Sequence, residues 1–551
     1  MSITTPTPVP PGPDCKATLP AVLRWAAAAH GDKELFVSED RRVSFVEAER
    51  ESAELAKGLL AMGVGKGTRV GLLMENAPDW PICFFAAART GALVVTLSTF
   101  YQASELSWAM QHNDIDTLLI SARFLKADYA ERLERALPGL AEQQDDELYL
   151  PEHPYLRRIV MFGECDRRWA TRGAAAIRAA AAAKPQIDEA FLERVEANIV
   201  PADDLLIICT SGSTAEPKAV LHTHGVSIRT SHEFLDFMDT RPGERSYSGQ
   251  PLFWIGGINV NLLPCLLLGS TLCFARSPAP DDIIDLIEAE KVTRLSMWAA
   301  QVHGLLERAQ GRDLSSVRTG LLEPRDPFGD VIPADRRIAS VMGMTESFGM
   351  HSIDRIWLPT PVGKGGHWGR HVRGMERRII DPETQQECSA GVEGEVYVRG
   401  FSMMRGYYKK EREEAFTRDG WFATGDLAFI DADDYIFFTG RRGELIKTSG
   451  ANVAPREVEL ALQQYSEIRE AIVFGLPDPV KGEIVVAVLI AHSDQPLEPA
   501  AIATRLRQDI SPYKVPSEML VMGFDDIPRT GSQKPQKPQL KSIVLELLAK
   551  R

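Results

Sequence analysis

Cysteine is sparse and scattered: seven residues, from Cys15 to Cys388, with no C-x-x-C pair among them. That spacing excludes a disulfide framework and a thiolate zinc site, and reduced thiols in a cytoplasm fit it best. Positive charge is in deficit. The formal net charge is −14, which argues against a surface built for nucleic acid or an anionic membrane. No apolar run reaches bilayer length. The most apolar long stretch, "NLLPCLLLGSTLCF" (Asn261 to Phe274), contains Pro264 and Gly269 and is too short to span. A signal-peptide pattern is also missing. "MSITTPTPVPPGP" has neither a basic start nor an apolar core, and reads as a disordered tail over residues 1–15. With 44% hydrophobic and 25% charged residues the rest is globular. Single cores stop growing near ~250–300 residues, so 551 residues imply at least two domains.

Apolar runs alternate with helical patterns. "RVGLLM" (Arg69 to Met74) and "ALVVTL" (Ala92 to Leu97) read as buried strands around a helical "DWPICFFAAART". "DTLLIS", "RRIVMF", "LLIIC" and "STLCFA" continue the series. Such alternation predicts mostly parallel sheets covered by helices. "GAAAIRAAAAAK" (Gly173 to Lys184) is biased toward the best helix former, and reads as a surface helix. From about Arg377 short strands broken by turn residues suggest a small antiparallel β unit. Beyond the glycine- and charge-rich "GRRGELIKTSG", the stretches "EIREAIVFGLPD", "EIVVAVLIA" and "PAAIATRLRQDI" read as β-β-α, a separate C-terminal domain.

The stretch "TSGSTAEPK" (Thr210 to Lys218) follows the apolar run "LLIIC". A strand, then a Ser/Thr/Gly loop with a lysine, suits phosphate. An ordinary polar turn between strand and helix reads the same way. The Walker pattern G-x-x-x-x-G-K-[ST] fails here: Pro217 stands for its second glycine and Ala219 for its magnesium-binding hydroxyl. Further stretches change the weighting. "PLFWIGG" (Pro251 to Gly257), "GMTE" (Gly343 to Glu346), "WFATGDLAFID" (Trp421 to Asp431), "GRRGELIKTSGANVAPREVE" (Gly440 to Glu459) and "IPRTGSQKPQK" (Ile527 to Lys537) follow in order. In that order they resemble the motifs of the adenylate-forming superfamily: acyl-CoA synthetases, amino-acid adenylation domains and beetle luciferases. The resemblance covers nearly the whole chain after the tail.

It implies an α/β fold: a large N-terminal domain (16–442) with helix-covered, mostly parallel sheets plus a small β unit, and a small mobile C-terminal α+β domain (443–551). It also implies two half-reactions. A carboxylic acid reacts with ATP to give acyl-AMP and pyrophosphate, and the acyl group then passes to the thiol of coenzyme A. Anion attacks anion in the first, so positioning and positive charge do the catalysis, with no protein nucleophile. By the resemblance Thr210, Ser211, Gly212, Ser213, Thr214 and Lys218 form the phosphate loop, their hydroxyls and amides facing the β/γ-phosphates. Gly343, Met344 and Thr345 border the nucleotide. Glu346, with Thr210, holds Mg2+, for which one carboxylate plus phosphate and water suffices. Asp426 takes the ribose hydroxyls with Arg441 as ribose or phosphate partner, and Lys447 and Gly450 complete the nucleotide side. Lys534 bridges carboxylate and α-phosphate; with Glu346 and Thr210 it makes the catalytic set. Phe253, Trp254, Ile255, Gly256, Gly257 and Leu322 line the acyl pocket, and Gly443 is the hinge. The bland readings are a solvated Lys218, a helix-start Glu346, a turn Asp426, a surface Arg441 and one more tail charge at Lys534.

Departures from the pattern are specific. Ala215 and Ala219 replace glycines, at about 1 kcal/mol or more each if φ must be positive. Met342 replaces an aromatic that packs on adenine. Leucines fill the usually small segment "TGLLEP", and Gly443 and Gln533 are unusual for their motifs. Trp254 follows Phe253 where the amino-acid branch needs an aspartate. The end "AKR" is not a peroxisomal tripeptide, and no carrier domain follows Lys534. The expectation is a cytoplasmic acyl-CoA synthetase for an apolar, bulky or long-chain acid. Its apolar wall beside Gly256 and Gly257 would give contact plus local space. Alternatives are an aryl or small-acid CoA ligase, an acyl-AMP ligase loading an acyl carrier protein, and a degenerate nucleotide-binding protein. No nucleic-acid partner is expected; a homodimer stays open.

Overall fold

The structure is a computed structural model that describes residues 15–550 except 126, 211–217, 322–325, 327–329, 339, 443–445, 449–450, 454, 479–480, 493–496, 511–513 and 531–532. By internal contact the chain forms two compact units, Met1–Glu376 with Arg399–Gly420, and Arg377–Val398 with Trp421–Arg551. Gly443, the expected boundary, lies outside the described residues.

The first unit is built on two large sheets. In one, the described strands run in the order Gly406–Tyr407, Lys218–Thr223, Asp204–Thr210, Leu93–Thr96, Arg69–Leu73, Thr117–Ser121, Arg158–Phe162, Ala170–Arg172. From Asp204–Thr210 onward all neighbours are parallel. Leu93–Thr96 and Thr117–Ser121 are buried along their whole length, as a sheet covered on both faces requires. The helix Asp79–Arg89 supplies part of that cover and is buried from Trp80 to Arg89. Its last residue is a charge in the core, and it is paired: Arg89 donates to Glu196 at 2.5 Å and to Glu49 at 2.7 Å. Removing one partner would strand the other in apolar surroundings. The second sheet orders Arg294–Ser296, Arg245–Ser248, Thr271–Cys273, Glu34–Val37 and Arg42–Ser44, with only the last antiparallel to its neighbour.

One apolar cluster reaches from these sheets to the motifs. It includes Phe36, Phe84 and Phe85, and also Ile208, Ile258, Leu262 and Phe348. The ends of the phosphate-loop strand, the acyl motif and the GMTE segment thus share one packed base. The alanine-rich helix Gly173–Ala183 buries only Gly173 and Ile177, so it is the surface helix its composition suggests.

Met375–Ile380, Gly394–Gly400, Phe422–Ile430 and Ile436–Arg441 make a four-stranded sheet whose residues fall in the second unit except Met375, Glu376, Arg399 and Gly400. Ile468–Asp478 and Gly482–Ala491 pair antiparallel over a long ladder, followed by the helix Pro499–Asp509, the expected β-β-α. No helix among the described residues is long and apolar enough to cross a membrane.

Candidate active site

The phosphate-loop motif does not sit between strand and helix. Asp204–Thr210 and Lys218–Thr223 are antiparallel neighbours with Thr210 opposite Lys218, so the motif joins two paired strands. The β-branched and apolar alternation in "KAVLHT" extends the chain after the lysine, and the helix begins only at His224, capped by Thr223. Ser211, Gly212, Ser213, Thr214 and Ala215 lie outside the described residues. The Thr210 hydroxyl donates to the Lys218 carbonyl at 3.4 Å, a weak closure of the hairpin that leaves its lone pairs for a cation. Ala219 is an ordinary strand residue opposite Cys209, without positive φ, so alanine carries no backbone cost there. Burial pushes the neighbouring Cys209 thiol up to about 11. It stays protonated at neutral pH and is no nucleophile.

The GMTE segment is a second hairpin, Met342–Met344 with Gly349–Ile353. Gly343 is required by close approach: a Cβ there would lie 2.5 Å from the Gly349 carbonyl oxygen. Met342 is 3% exposed. It packs inward and offers no open face to a base. Between the strands Thr345–Ser347 forms a short turn, closed by Phe348 at φ +51°. Three contacts fix the turn. The His222 ring nitrogen Nε2 donates to the Thr345 carbonyl at 2.7 Å. The Met404 amide donates to the Glu346 carbonyl at 2.7 Å. The Tyr407 hydroxyl donates to Glu346 Oε1 at 2.8 Å. Burial lowers His222 to about 4, so it is neutral and holds the turn as a fixed tautomer. Burial first, then Glu346, raise the Tyr407 phenol, which remains a donor. Lys218 Nζ lies 5.1 Å from the Tyr407 ring centre. Glu346, Thr345, Lys218 and Thr210 are therefore brought to one edge of the first unit.

This edge suits a cation shared with phosphate. No cluster of three metal-ligating side chains exists among the described residues. Glu346 Oε2 takes no hydrogen bond from them. One carboxylate oxygen plus a hydroxyl lone pair matches Mg2+, which keeps water and phosphate oxygens as its other ligands.

The acyl motif opens a wound segment. Phe253 is buried and its carbonyl accepts from the Thr96 hydroxyl at 3.0 Å. Trp254 is half-buried among rings, with centroids 5.9 Å from Phe100, 5.5 Å from Phe253 and 5.7 Å from Trp298. Ile255 packs on the main core. Gly257 does not provide ligand space, contrary to expectation, because it faces main-chain atoms, whereas Gly256 faces only the movable end of the Gln250 side chain. A Cβ on Gly256 would collide with the Gln250 amide, and on Gly257 with the Pro251 carbonyl. Gly257 is small because the π-helix Gly257–Leu262 starts against its own preceding turn. From that helix Asn259 donates to the Phe348 carbonyl at 2.6 Å and accepts from Ser231 at 2.7 Å. It joins the acyl motif to the Glu346 turn. Leu322 lies outside the described residues.

In the second unit Asp426 is 8% exposed and stands opposite Arg441 in the register of Phe422–Ile430 and Ile436–Arg441. The preceding Gly425 has φ +75° and donates to Glu395 at 3.1 Å. Lys447 lies opposite Asn452 in its hairpin. Gly443 and Gly450 fall outside the described residues. Lys534 is exposed at the end of a tight turn in which Thr530 donates to the Lys534 carbonyl at 2.9 Å and the Lys534 amide donates to the Thr530 hydroxyl at 3.2 Å. Arg529 donates to the Gln533 carbonyl at 2.9 Å and to Glu470 at 2.6 Å. Gln533 sits at φ +62°, so here, unlike Ala219, a glycine replacement does occupy the left-handed region. Sequence reasoning missed Tyr407, His222 and Asn259. Their only marks are a hydroxylated ring after a glycine in "RGYY", and polar side chains inside apolar runs.

Comparison with known proteins bears on the same segments. The family model described as AMP-binding enzyme matches residues 23–408, and the model for the AMP-binding enzyme C-terminal domain matches 457–534. A putative acyl-CoA synthetase, YngI of Bacillus subtilis, is 28% identical, aligned over 96% of this chain and 98% of its own. An indoleacetate–CoA ligase of Aromatoleum aromaticum is 27% identical over 92% of this chain and 94% of its own. Among solved structures, the anthranilate CoA ligase AuaEII with anthranoyl-AMP superposes with TM-score 0.78 at 22% identity, covering 96% of this chain and 97% of the other.

Proposed function

We propose that this chain, which belongs to the AMP-binding enzyme family and within it to the ATP-dependent, AMP-forming acyl-CoA ligases, activates an apolar, bulky or long-chain carboxylic acid. The carrying observation is the Glu346 carboxylate held one strand away from the Lys218 hairpin. In the first step a carboxylate oxygen of the acid bonds to the α-phosphorus of ATP, and the bond to the bridging oxygen of pyrophosphate breaks. In the second the thiol sulfur of coenzyme A bonds to the acyl carbon, AMP leaves with the ester oxygen, and the thiol proton passes to solvent.

Each residue has a part in this reading. Lys218 and the hydroxyls of Thr210, Ser211, Ser213 and Thr214 hold the β- and γ-phosphates, and the backbone at Gly212 lets them approach. Gly343, Met344 and Thr345 border the nucleotide. Glu346 and Thr210 would hold Mg2+, which supplies positive charge to the phosphate oxygens when bound. Asp426 accepts from the ribose hydroxyls, with Arg441, Lys447 and Gly450 on the same nucleotide. Lys534 neutralises the meeting of carboxylate and α-phosphate. Gly443 is the pivot between the half-reactions and the start of a mobile C-terminal domain. That placing is supported by the gap between the two family matches, 408 to 457. The thiols, seven and all unpaired, suit a cytoplasmic setting.

Trp254, with Phe100 and Trp298, forms the apolar wall of the acyl site; Phe253, Ile255, Gly256 and Gly257 set its backbone, and Leu322 joins it. A second reading, an aryl acid, is favoured by the same observation, since the rings around Trp254 suit edge-to-face contact with another ring. A pyrophosphate-release screen over acetate, benzoate, dodecanoate and a polycyclic acid, with mass spectrometry of the CoA product, tests both. Higher kcat/KM for dodecanoate or the polycyclic acid is expected, and Trp254→Ala should shift the size preference. Preference for benzoate installs the aryl reading. Preference for acetate, or no pyrophosphate with any acid, overturns the proposal.

A further inference from the structure

Tyr407 has no assigned part in the reaction, yet it touches both charged groups at the edge of the first unit. Its hydroxyl donates to Glu346 Oε1 at 2.8 Å, and its ring lies under the Lys218 ammonium. Resting on the reading of Glu346 as the cation's carboxylate, we propose that Tyr407 is a positioning residue. It fixes one oxygen of Glu346 so that the other is presented to the metal ion that accompanies ATP.

The backbone around Tyr407 makes it a rigid anchor. Gly406–Tyr407 pairs antiparallel with the outer strand of the phosphate hairpin, Val220 opposite Tyr407 and Leu221 opposite Gly406. The Arg405 amide donates to the Leu221 carbonyl at 2.9 Å, and the Tyr408 amide to the Ala219 carbonyl at 2.8 Å. Two residues before Gly406, the Met404 amide donates to the Glu346 carbonyl itself. One short stretch therefore holds the main chain of Glu346, one of its carboxylate oxygens, and the strand that begins with Lys218. Tyr407 is 9% exposed, so most of its side chain is covered by protein. The terminal torsion of a glutamate is broad and roughly two-fold. Without a donor on Oε1 the carboxylate turns freely, and either oxygen must be ordered again for each binding event. Loss of such an outer hydrogen bond typically costs 10–100-fold in metal affinity.

The bland reading is that Tyr407 fills space beneath Lys218. Tyr407→Phe separates the two, since it keeps the ring, the strand pairing and the Lys218 contact and removes only the donor. Mn2+ is titrated into full-length protein with a non-hydrolysable ATP analogue and read by electron paramagnetic resonance. Glu346→Gln and the double variant complete a cycle, and urea midpoints check folding. The expected result is Mn2+ affinity weakened roughly tenfold in Tyr407→Phe, with the Mg2+ needed for half-maximal pyrophosphate release shifted likewise and the acid KM unchanged at saturating Mg2+. In the Glu346→Gln background the same change should add less than about twofold, because coupled partners are non-additive. Unchanged Mn2+ affinity in Tyr407→Phe, or losses that add fully, overturns the positioning role alone. Unchanged affinity in Glu346→Gln overturns the reading of Glu346 and this inference with it.

Discussion

Gly343→Ala is a test of how tightly the Glu346 turn is held. The backbone of Gly343 has no positive φ, so alanine meets no torsional penalty there. What it meets is the opposite strand. An ideal Cβ lies 2.5 Å from the Gly349 carbonyl oxygen, 2.8 Å from its carbon and 2.9 Å from Met350 Cα. All three are main-chain atoms, so no side chain can swing aside. Carbon–oxygen contact becomes comfortable near ~3.3 Å, and the strands must part by about 0.8 Å. Glu346 lies in the turn between those strands, its carbonyl and carboxylate tied to Met404 and Tyr407. A displacement of about 1 Å in a positioned group costs on the order of 10²-fold in rate. Overpacking adds about 1–3 kcal/mol of lost stability. Pyrophosphate release at saturating acid and ATP is therefore expected to fall about 10²-fold. Gly304→Ala is the control. It lies in the helix Ala299–Arg308, and its Cβ would meet nothing within 4 Å. A surface change of that kind stays within about ±0.5 kcal/mol, so turnover should be unaffected. If Gly343→Ala retains turnover within threefold of wild type, the turn is either compliant or remote from the reaction, and the placement of Glu346 fails.

Lys534→Ala should lower pyrophosphate release by roughly 10²–10³-fold, the usual cost of removing one preorganised charge donor. Thioester formation from a supplied acyl-adenylate should persist, and equal loss in both half-reactions would remove Lys534 from its role. A different measurement concerns His224, which is fully buried, accepts from the Leu19 amide at 3.2 Å, and is lowered by burial to about 4. Its folded value lies below the unfolded one, so the unfolded chain binds more protons between pH 6.5 and 4, and stability is full above that window and lost as pH falls through it. About 2 kcal/mol should disappear between pH 7 and 5 on this account. His224→Asn keeps an acceptor without titrating. The urea-derived stability difference from wild type should change by that amount over the window, and a constant difference would refute it.

The large elements were readable because burial on both faces leaves continuous apolar runs, as at Leu93–Thr96 and Thr117–Ser121. The β-β-α order after Gly450 was readable for the same reason of pattern. The hairpin was not. Pro217 and Lys218 look like the start of a helix after a phosphate loop, and only the pairing of Thr210 with Lys218 decides otherwise. Nor does a lost glycine announce its cost. Ala219 and Gln533 both stand for glycine, yet one lies in a strand and the other at φ +62°. Torsion at each is set by neighbours far along the chain. Gly257 shows the converse error, where a small residue suggested room for a ligand and in fact accommodates the Pro251 carbonyl.

Tyr407 explains why motif reading stops short of the site. It lies 61 residues from Glu346 and outside every motif read from the sequence. Its importance comes from a strand of two residues, Gly406–Tyr407, at the edge of the sheet. Edge strands this short are usually a means of ending a sheet. Here the pairing does more than end it. The same hydrogen bonds that close the sheet carry a phenol to Glu346 and set its ring beneath Lys218. A carboxylate and an ammonium on flexible side chains would otherwise each lose rotamer freedom on meeting a nucleotide. On the proposed reading, holding both from one strand orders them before a ligand arrives, so that this cost is met during folding rather than in each turnover. The acyl side is tied in by Asn259, whose amide reaches the Phe348 carbonyl at 2.6 Å. Substitutions at Tyr407 and Asn259 should consequently act on positions of other groups, changing cation dependence in the first case and the coupling between acid and nucleotide in the second, without either residue touching a reacting atom.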